Sequence, residues 1–196
     1  DFGDVCINYD KAWFEQNALP IPATLAELAE PQYANLLVVE NPATSSPGLA
    51  FMLATIAEFG EDGWLDWWQA MKTNGVLITS DWETAYYTNF SGSSGRGAQP
   101  MVVSYASSPA AEFIYAETEL SESPTASLVE AGMCWRQIEF AGILKGTKNR
   151  AAAEKFIDFL LSQPFQEDVP MQMFVFPVLP DAVIPEAFQK TVESPE

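Results

Sequence analysis

Two stretches decide the fold: Val38-Val-Glu-Asn-Pro-Ala-Thr-Ser-Ser-Pro-Gly-Leu-Ala-Phe51 and its echo, Val102-Val-Ser-Tyr-Ala-Ser-Ser-Pro-Ala-Ala-Glu-Phe113. Each reads as an apolar strand, a Ser-Ser-Pro turn and a helix start. In the first, Ser46 is predicted as the N-cap and Pro47 as the first helical residue of GLAFMLATIAEF, a helix ending near Gly60. GWLDWWQAMKTN follows as a second helix closed by Gly75. Around this pair the chain alternates in the same way. Strands are predicted over Asp4–Tyr9, Leu36–Val39, Val76–Ile78 and Met101–Tyr105, with a long one over Cys134–Leu144. Helices are predicted over Thr24–Ala29, WETAYYTNF with a Ser80/Glu83 capping box, AAEFIYAE, and Ala151–Ser162 with Phe156, Phe159 and Leu160 on one face. SGSSGRG (91–97) reads as a short loop, Glu117–Thr125 as a polar stretch, and the Pro-rich tail after Pro170 as irregular. Such alternation specifies an α/β layer architecture.

Composition bounds the function. The 196 residues carry 27 acidic and 9 basic side chains, a net charge of −18. Such a surface repels nucleic acid and anionic lipid. There is no histidine, which removes Ser-His-Asp and Cys-His catalysis, HExxH zinc sites and any His general base. Carboxylate or tyrosinate metal binding stays open. No apolar run reaches the roughly 18 residues of a membrane span, and the start at Asp1 shows neither Met nor a signal peptide. That pattern suggests a mature secreted protein or a fragment of one. Cys6 and Cys134, each in a strand-like segment, suit one structural disulfide across adjacent strands; a reactive thiol is the sharper alternative, although few neighbours would lower its pKa.

Two constellations carry binding chemistry. In a parallel sheet, both Ser-Ser-Pro turns fall at strand carboxyl ends, where α/β ligand clefts form. The Asn41–Gly48 turn then offers hydroxyls and a helix N-terminus to a phosphate or a ligand hydroxyl, or else merely caps its helix. Trp82, Tyr86, Tyr87 and Tyr105 form an aromatic group suited to a cationic or flat heteroaromatic ligand, whereas Phe51, Trp64, Trp67 and Trp68 read as core.

Taken in order, NPATSSPGLAF, SDWETAYYTNF, MVVSYASSPAAE, RQIEFAGILKGTKNRAAAEKFIDFLLSQPFQEDVP and MFVFPV resemble the thiamine-binding substrate-binding proteins of bacterial ABC importers. The blocks span nearly the whole chain, and only the KNxxxAxKFxxFL piece is shared with iron- and polyamine-binding relatives. The resemblance implies a periplasmic, extracytoplasmic, two-lobed protein with the type II periplasmic-binding-protein (Venus-flytrap) fold. It would close on thiamine or its phosphate esters without catalysis or cofactor, and deliver them to a membrane permease. It places Ser45, beside Thr44 and Ser46, on the hydroxyl or phosphate arm, and Trp82 and Tyr105 against the cationic rings. Phe174 stands where the family has Trp, which keeps an apolar wall and loses an indole. The implied division is a crossover strand at 1–10, a ligand-binding lobe at 11–140, and a return strand, helix and remnant of the first lobe at 141–196. The family's N-terminal lobe, with an acidic residue and further aromatics, has no counterpart in this sequence; a separate chain or a second copy could complete it. The alternatives are a ferric-iron carrier using Tyr86 or Tyr87, and a thiaminase-like enzyme using a cysteine.

Overall fold

A computed structural model describes residues 1–94, 97–192 and 195, apart from the side chain of Ser94. Gly95 and Arg96 of the predicted 91–97 loop lie outside the described residues. The elements run β1 (Phe2–Asp10), α1 (Lys11–Asn17), α2 (Leu25–Leu28), β2 (Leu37–Glu40), α3 (Ser46–Thr73), β3 (Leu77–Thr79), a π-helix (Thr84–Asn89) and α4 (Ser91–Ser94). They continue with β4 (Met101–Tyr105), α5 (Ser108–Ile114), β5 (Thr125–Leu128), β6 (Trp135–Ile138), α6 (Arg150–Leu160), α7 (Gln163–Met173) and α8 (Glu186–Thr191). The sheet order is β3-β2-β4-β1-β5, with β6 also on β1. β2 is parallel to β3 and β4, in register Leu37↔Met101, so the two Ser-Pro turns do leave the same end of the sheet. β1 runs antiparallel to β4, β5 and β6, which makes the sheet mixed.

The apolar runs of β2 and β4 reflect burial on both faces, since successive side chains alternate across a sheet. Leu37, Val39, Met101 and Val103 join Phe14, Leu28, Phe51 and Trp67 in the larger core, whereas Val38 and Val102 pack with Ala85, Tyr86 and Phe90 on the opposite face. The indole Nε1 of Trp67 donates to the Leu25 carbonyl at 2.6 Å, and that of Trp68 to Thr55 Oγ1 at 3.0 Å. These core tryptophans therefore bury no orphaned donor. The Cys6–Cys134 disulfide joins β1 to the segment entering β6, with the Cα atoms 4.4 Å apart. Beside it the buried Asp4 carboxylate accepts a two-point contact from Arg136, at 2.8 and 2.9 Å.

Local expectations shift in several places. Ser45, and not Ser46, is the N-cap of α3: its hydroxyl accepts from Gly48 N–H at 3.5 Å, with Pro47 inside the first turn. The two helices expected here are both present: they meet within the span of α3 at Gly60, whose dihedrals are non-helical (φ 71°, ψ 175°), and the second ends at Thr73. Asp81 replaces the Ser80/Glu83 box, because its Oδ1 accepts from Thr84 N–H at 2.8 Å while Ser80 Oγ donates to its other oxygen at 2.6 Å. β6 ends at Ile138 and not Leu144. The ladder reaches Phe2↔Ile138, with one further hydrogen bond from Glu139 N–H to the Asp1 carbonyl at 3.0 Å. The tail keeps helical order, since α7 carries Pro170 internally and α8 follows it.

Gly48 is fixed by a close approach. A Cβ there would fall inside contact distance of the Glu40 carbonyl oxygen and 2.8 Å from its carbon, both rigid backbone atoms. Gly48→Ala is therefore expected to cost about 1–3 kcal/mol in urea unfolding, by pushing α3 off the end of β2. A midpoint equal to that of the parent would show that the helix slides freely.

Candidate functional site

A cavity of about 230 Å³ opens at the carboxyl end of β4, lined by Trp82, Tyr86, Tyr87, Tyr105, Ser108, Ala111, Tyr115, Met173 and Phe174. Its walls come from three parts of the chain. Trp82 stacks on Tyr86 with centroids 4.9 Å apart and planes 19° off parallel, and meets Tyr87 edge-on at 5.4 Å. The indole is anchored from behind: its Nε1 donates to Ser104 Oγ at 2.9 Å, and Ser104 shares a 2.8 Å hydrogen bond with Ser108. An exposed tryptophan face is thereby held on a buried strand residue without leaving its N–H unpaired.

Tyr105 ends β4, and its ring lies over Gly3 of β1, where an added Cβ would sit 3.1 Å from the ring. Asn8 Nδ2 donates to the Tyr105 carbonyl at 3.1 Å and to Ser127 Oγ at 2.7 Å, tying β4 and β5 to the strand between them. Burial raises the phenol pKa; a Gln137 hydrogen bond opposes this, while Glu139 and Glu40 add to it. Phe174 closes the third side from a left-handed backbone (φ 53°, ψ 39°) just past α7. Its carbonyl accepts from the Ser107 hydroxyl, and its ring stacks on Phe188 at 5.7 Å and tilts against Tyr115 at 5.8 Å. A phenylalanine held in that region implies that the surroundings fix it there.

Trp82, Tyr105 and Phe174 thus converge on one cavity. Thr44, Ser45 and Ser46 are not among its lining residues. Their turn stands at the same end of the sheet, with Thr44 Oγ1 donating to the Ser80 carbonyl at 2.6 Å, two residues before Trp82. Asn41 Oδ1 accepts from Ala43 N–H at 2.9 Å, Ser45 caps α3, and Ser46 is exposed in its first turn. Ser108, Ala111 and Tyr115 join the site from one face of α5. Their 108, 111, 115 spacing was readable as a helical stripe and points Tyr115 at the same place as Ser108.

Three ionisable groups shape the electrostatics. Tyr86 is buried, which drives its pKa well above the ordinary phenol value, and the nearby Glu112 adds to that. Burial also raises Glu112, while the Tyr86 hydroxyl partly opposes the shift. Glu40, the last residue of β2, is 1% exposed and neither carboxylate oxygen has a hydrogen-bond partner among the described residues. Burial pushes it up to about 8, with Asp81 contributing. In sequence it is one more strand-end glutamate; in the fold the start of α3 comes down on its backbone at Gly48.

The profile of the bacterial extracellular solute-binding protein family matches residues 1–194. The thiamine-binding periplasmic protein of Salmonella typhimurium is 29% identical over 189 residues, 96% of this chain and 53% of its own length. A solved periplasmic thiamin binding protein superposes with a TM-score of 0.81 at 28% identity, covering 98% of this chain and 56% of that one. Iron-bound HitA from Pseudomonas aeruginosa shares the fold at a TM-score of 0.69 and 17% identity, covering 100% of this chain and 61% of its own. The chain spans about half the length of the curated relatives it matches. The mixed sheet, its helices and these matches are those of a type II periplasmic binding protein, and the chain belongs to the bacterial extracellular solute-binding protein family.

Proposed function

We propose that this chain carries one side of a binding site for thiamine or its phosphate esters, in an extracytoplasmic protein that hands the vitamin to an ABC permease. The aromatic cavity carries this reading. Trp82, backed by the buried Tyr86, and Tyr105 offer π faces to a flat cation, in a chain whose net charge is −18. The relatives whose names include thiamine support the ligand's identity. The Thr44–Ser46 turn, joined to the Trp82 segment through Ser80, is placed to meet the hydroxyl or phosphate arm. The function needs no cofactor and no catalysis. Both cysteines are joined in the disulfide, so a cysteine nucleophile of the thiaminase kind has no thiol to use. A tyrosinate iron site on Tyr86 would have to ionise a phenol that burial and Glu112 hold protonated.

Residues 11–140 form the ligand-bearing lobe in this reading, with β1 as the crossover strand and 141–196 as part of the other lobe. Support comes from an unpaired apolar face. α6 buries none of its residues, Phe140, Leu144, Phe156, Phe159 and Leu161 stand exposed, and a groove of about 440 Å³ runs between Phe140 and α6. The half of the relatives' length that this chain does not span is the cover we assign to it. No helix among the described residues is long and apolar enough to cross a membrane.

Isothermal titration with thiamine tests the site. Trp82→Ala and Tyr105→Ala are each expected to weaken binding by roughly 10- to 30-fold, from about 1.4–2 kcal/mol of lost ring and cation contact. Ser45→Ala should weaken a phosphate ester more than thiamine itself. Unchanged affinity in both aromatic variants would remove the cavity from the binding site.

A further inference from the structure

Glu40 is a buried acid with no assigned partner, at the end of β2 beside the strand that ends in Tyr105. It lies two residues past the last β2–β4 pair, Val38↔Val102, and strand alternation puts it on the face of Val38, which packs with Tyr86 and Trp82. The titratable groups that act on it are Asp81 after β3 and Tyr105 at the end of β4, while Tyr86 of the π-helix packs against Val38 on the same face. The first turn of α3, closing over it at Gly48, contains no acidic side chain. None of these neighbours is a cation. Asp81 immediately precedes Trp82, and Tyr105 is the facing wall, so a positive charge in the cavity enters the surroundings of this carboxyl.

We propose that Glu40 exchanges its proton for the positive charge of the ligand, so that a cation bound against Trp82 and Tyr105 expels up to one proton to solvent. This inference rests on the organic-cation reading of the cavity. In the free protein, burial outweighs the opposing pull of Glu40's own backbone N–H and keeps the carboxyl protonated near neutral pH, with Asp81 adding to the shift. A permanent cation such as thiazolium favours the ionised form, lowers the carboxyl's pKa on binding and releases the proton. Affinity therefore rises with pH across the range in which the free protein still holds that proton. The role is one of positioning charge, since Glu40 is buried, does not line the cavity and acts on the ligand through the field it shares with Tyr105 and Asp81.

The test is calorimetric titration of the chain with thiamine in two buffers of different protonation enthalpy, which counts protons, with carbon-13 NMR of glutamate-labelled protein alongside. Release of about 0.5–1 proton per thiamine near pH 7 is expected, with binding roughly tenfold tighter at pH 8 than at pH 6.5. Glu40→Gln should bind with no proton release and a flat pH profile. In the parent, one glutamate carboxyl should titrate above all others and move down when thiamine saturates the protein, a readout that does not depend on the variant folding. Binding without proton release, equal release from Glu40→Gln, or a high-titrating carboxyl unmoved by thiamine would each overturn the exchange and leave the binding reading in place. Absence of thiamine binding at every pH would overturn the binding reading, and the exchange with it.

Discussion

Replacing Cys6 and Cys134 together with alanine is expected to lower the unfolding free energy by about 5 kcal/mol, comparable to the whole stability of many domains. The two residues are 128 positions apart, so the bond closes a very long loop and removes much of the freedom of the unfolded chain. Native contacts lose little, because Cys6 faces Cys134 across the β1–β6 pairing and Val5↔Trp135 hydrogen bonds persist beside it. Urea unfolding of the double variant should show a much lower midpoint and a steeper denaturant dependence, since its unfolded state is more expanded. Coincident curves for variant and parent would mean that the β1–β6 ladder, with Asp4 and Arg136, suffices to hold the two segments together.

Glu40→Gln is expected to stabilise the protein increasingly as pH rises. The unfolded carboxyl titrates near 4.5 and the folded one is pushed up to about 8 by burial. The folded state thus retains a proton that the unfolded state gives up. Below about pH 4.5 both states are protonated and the pH-dependent part of the cost vanishes. Between about 4.5 and 8 each pH unit removes roughly 1.4 kcal/mol of stability, and above 8 the loss levels off. Near pH 7 the neutral substitution should therefore recover roughly 3 kcal/mol, and at pH 5 far less. Unfolding measured at pH 5, 6, 7 and 8 checks this: a gain independent of pH would assign the effect to packing and not to charge.

The strands that set the architecture were legible because β2 and β4 are continuous apolar runs ended by Ser-Pro, a pattern that local chemistry enforces. Errors arose where two residues compete for one local role. Ser45 takes the cap from Ser46 because Pro47 fits equally well one position later in the first turn, and Asp81 outcompetes Ser80 by offering two carboxylate oxygens in place of one hydroxyl. β5 and α1 went unread, as Thr125–Leu128 is short and half polar and α1 has a single buried residue, Phe14. For the site, Trp82 and Tyr105 could be paired from their positions at a helix start and a strand end. Phe174 could be placed only through resemblance, because it arrives from 69 positions beyond Tyr105 (174 − 105) on a left-handed backbone that no local pattern signals. Glu40 is one of 27 acids in the sequence, and nothing local marks it out: its burial comes from packing between elements.

The central position of β1 governs how the chain must fold. Every ladder it makes is with distant sequence: Asn8 bonds to residues 97 and 119 positions away, and Asp4 to one 132 positions away. Closing such contacts early is entropically unfavourable, so the parallel β3-β2-β4 unit with α3 should assemble first and β1 should insert afterwards. A strand that precedes all its partners in the chain is then among the last to be paired. Until that insertion its apolar Val5-Cys6-Ile7 run is unpaired, and Cys6 cannot meet Cys134, 128 positions further along the chain, before β1 has found its place.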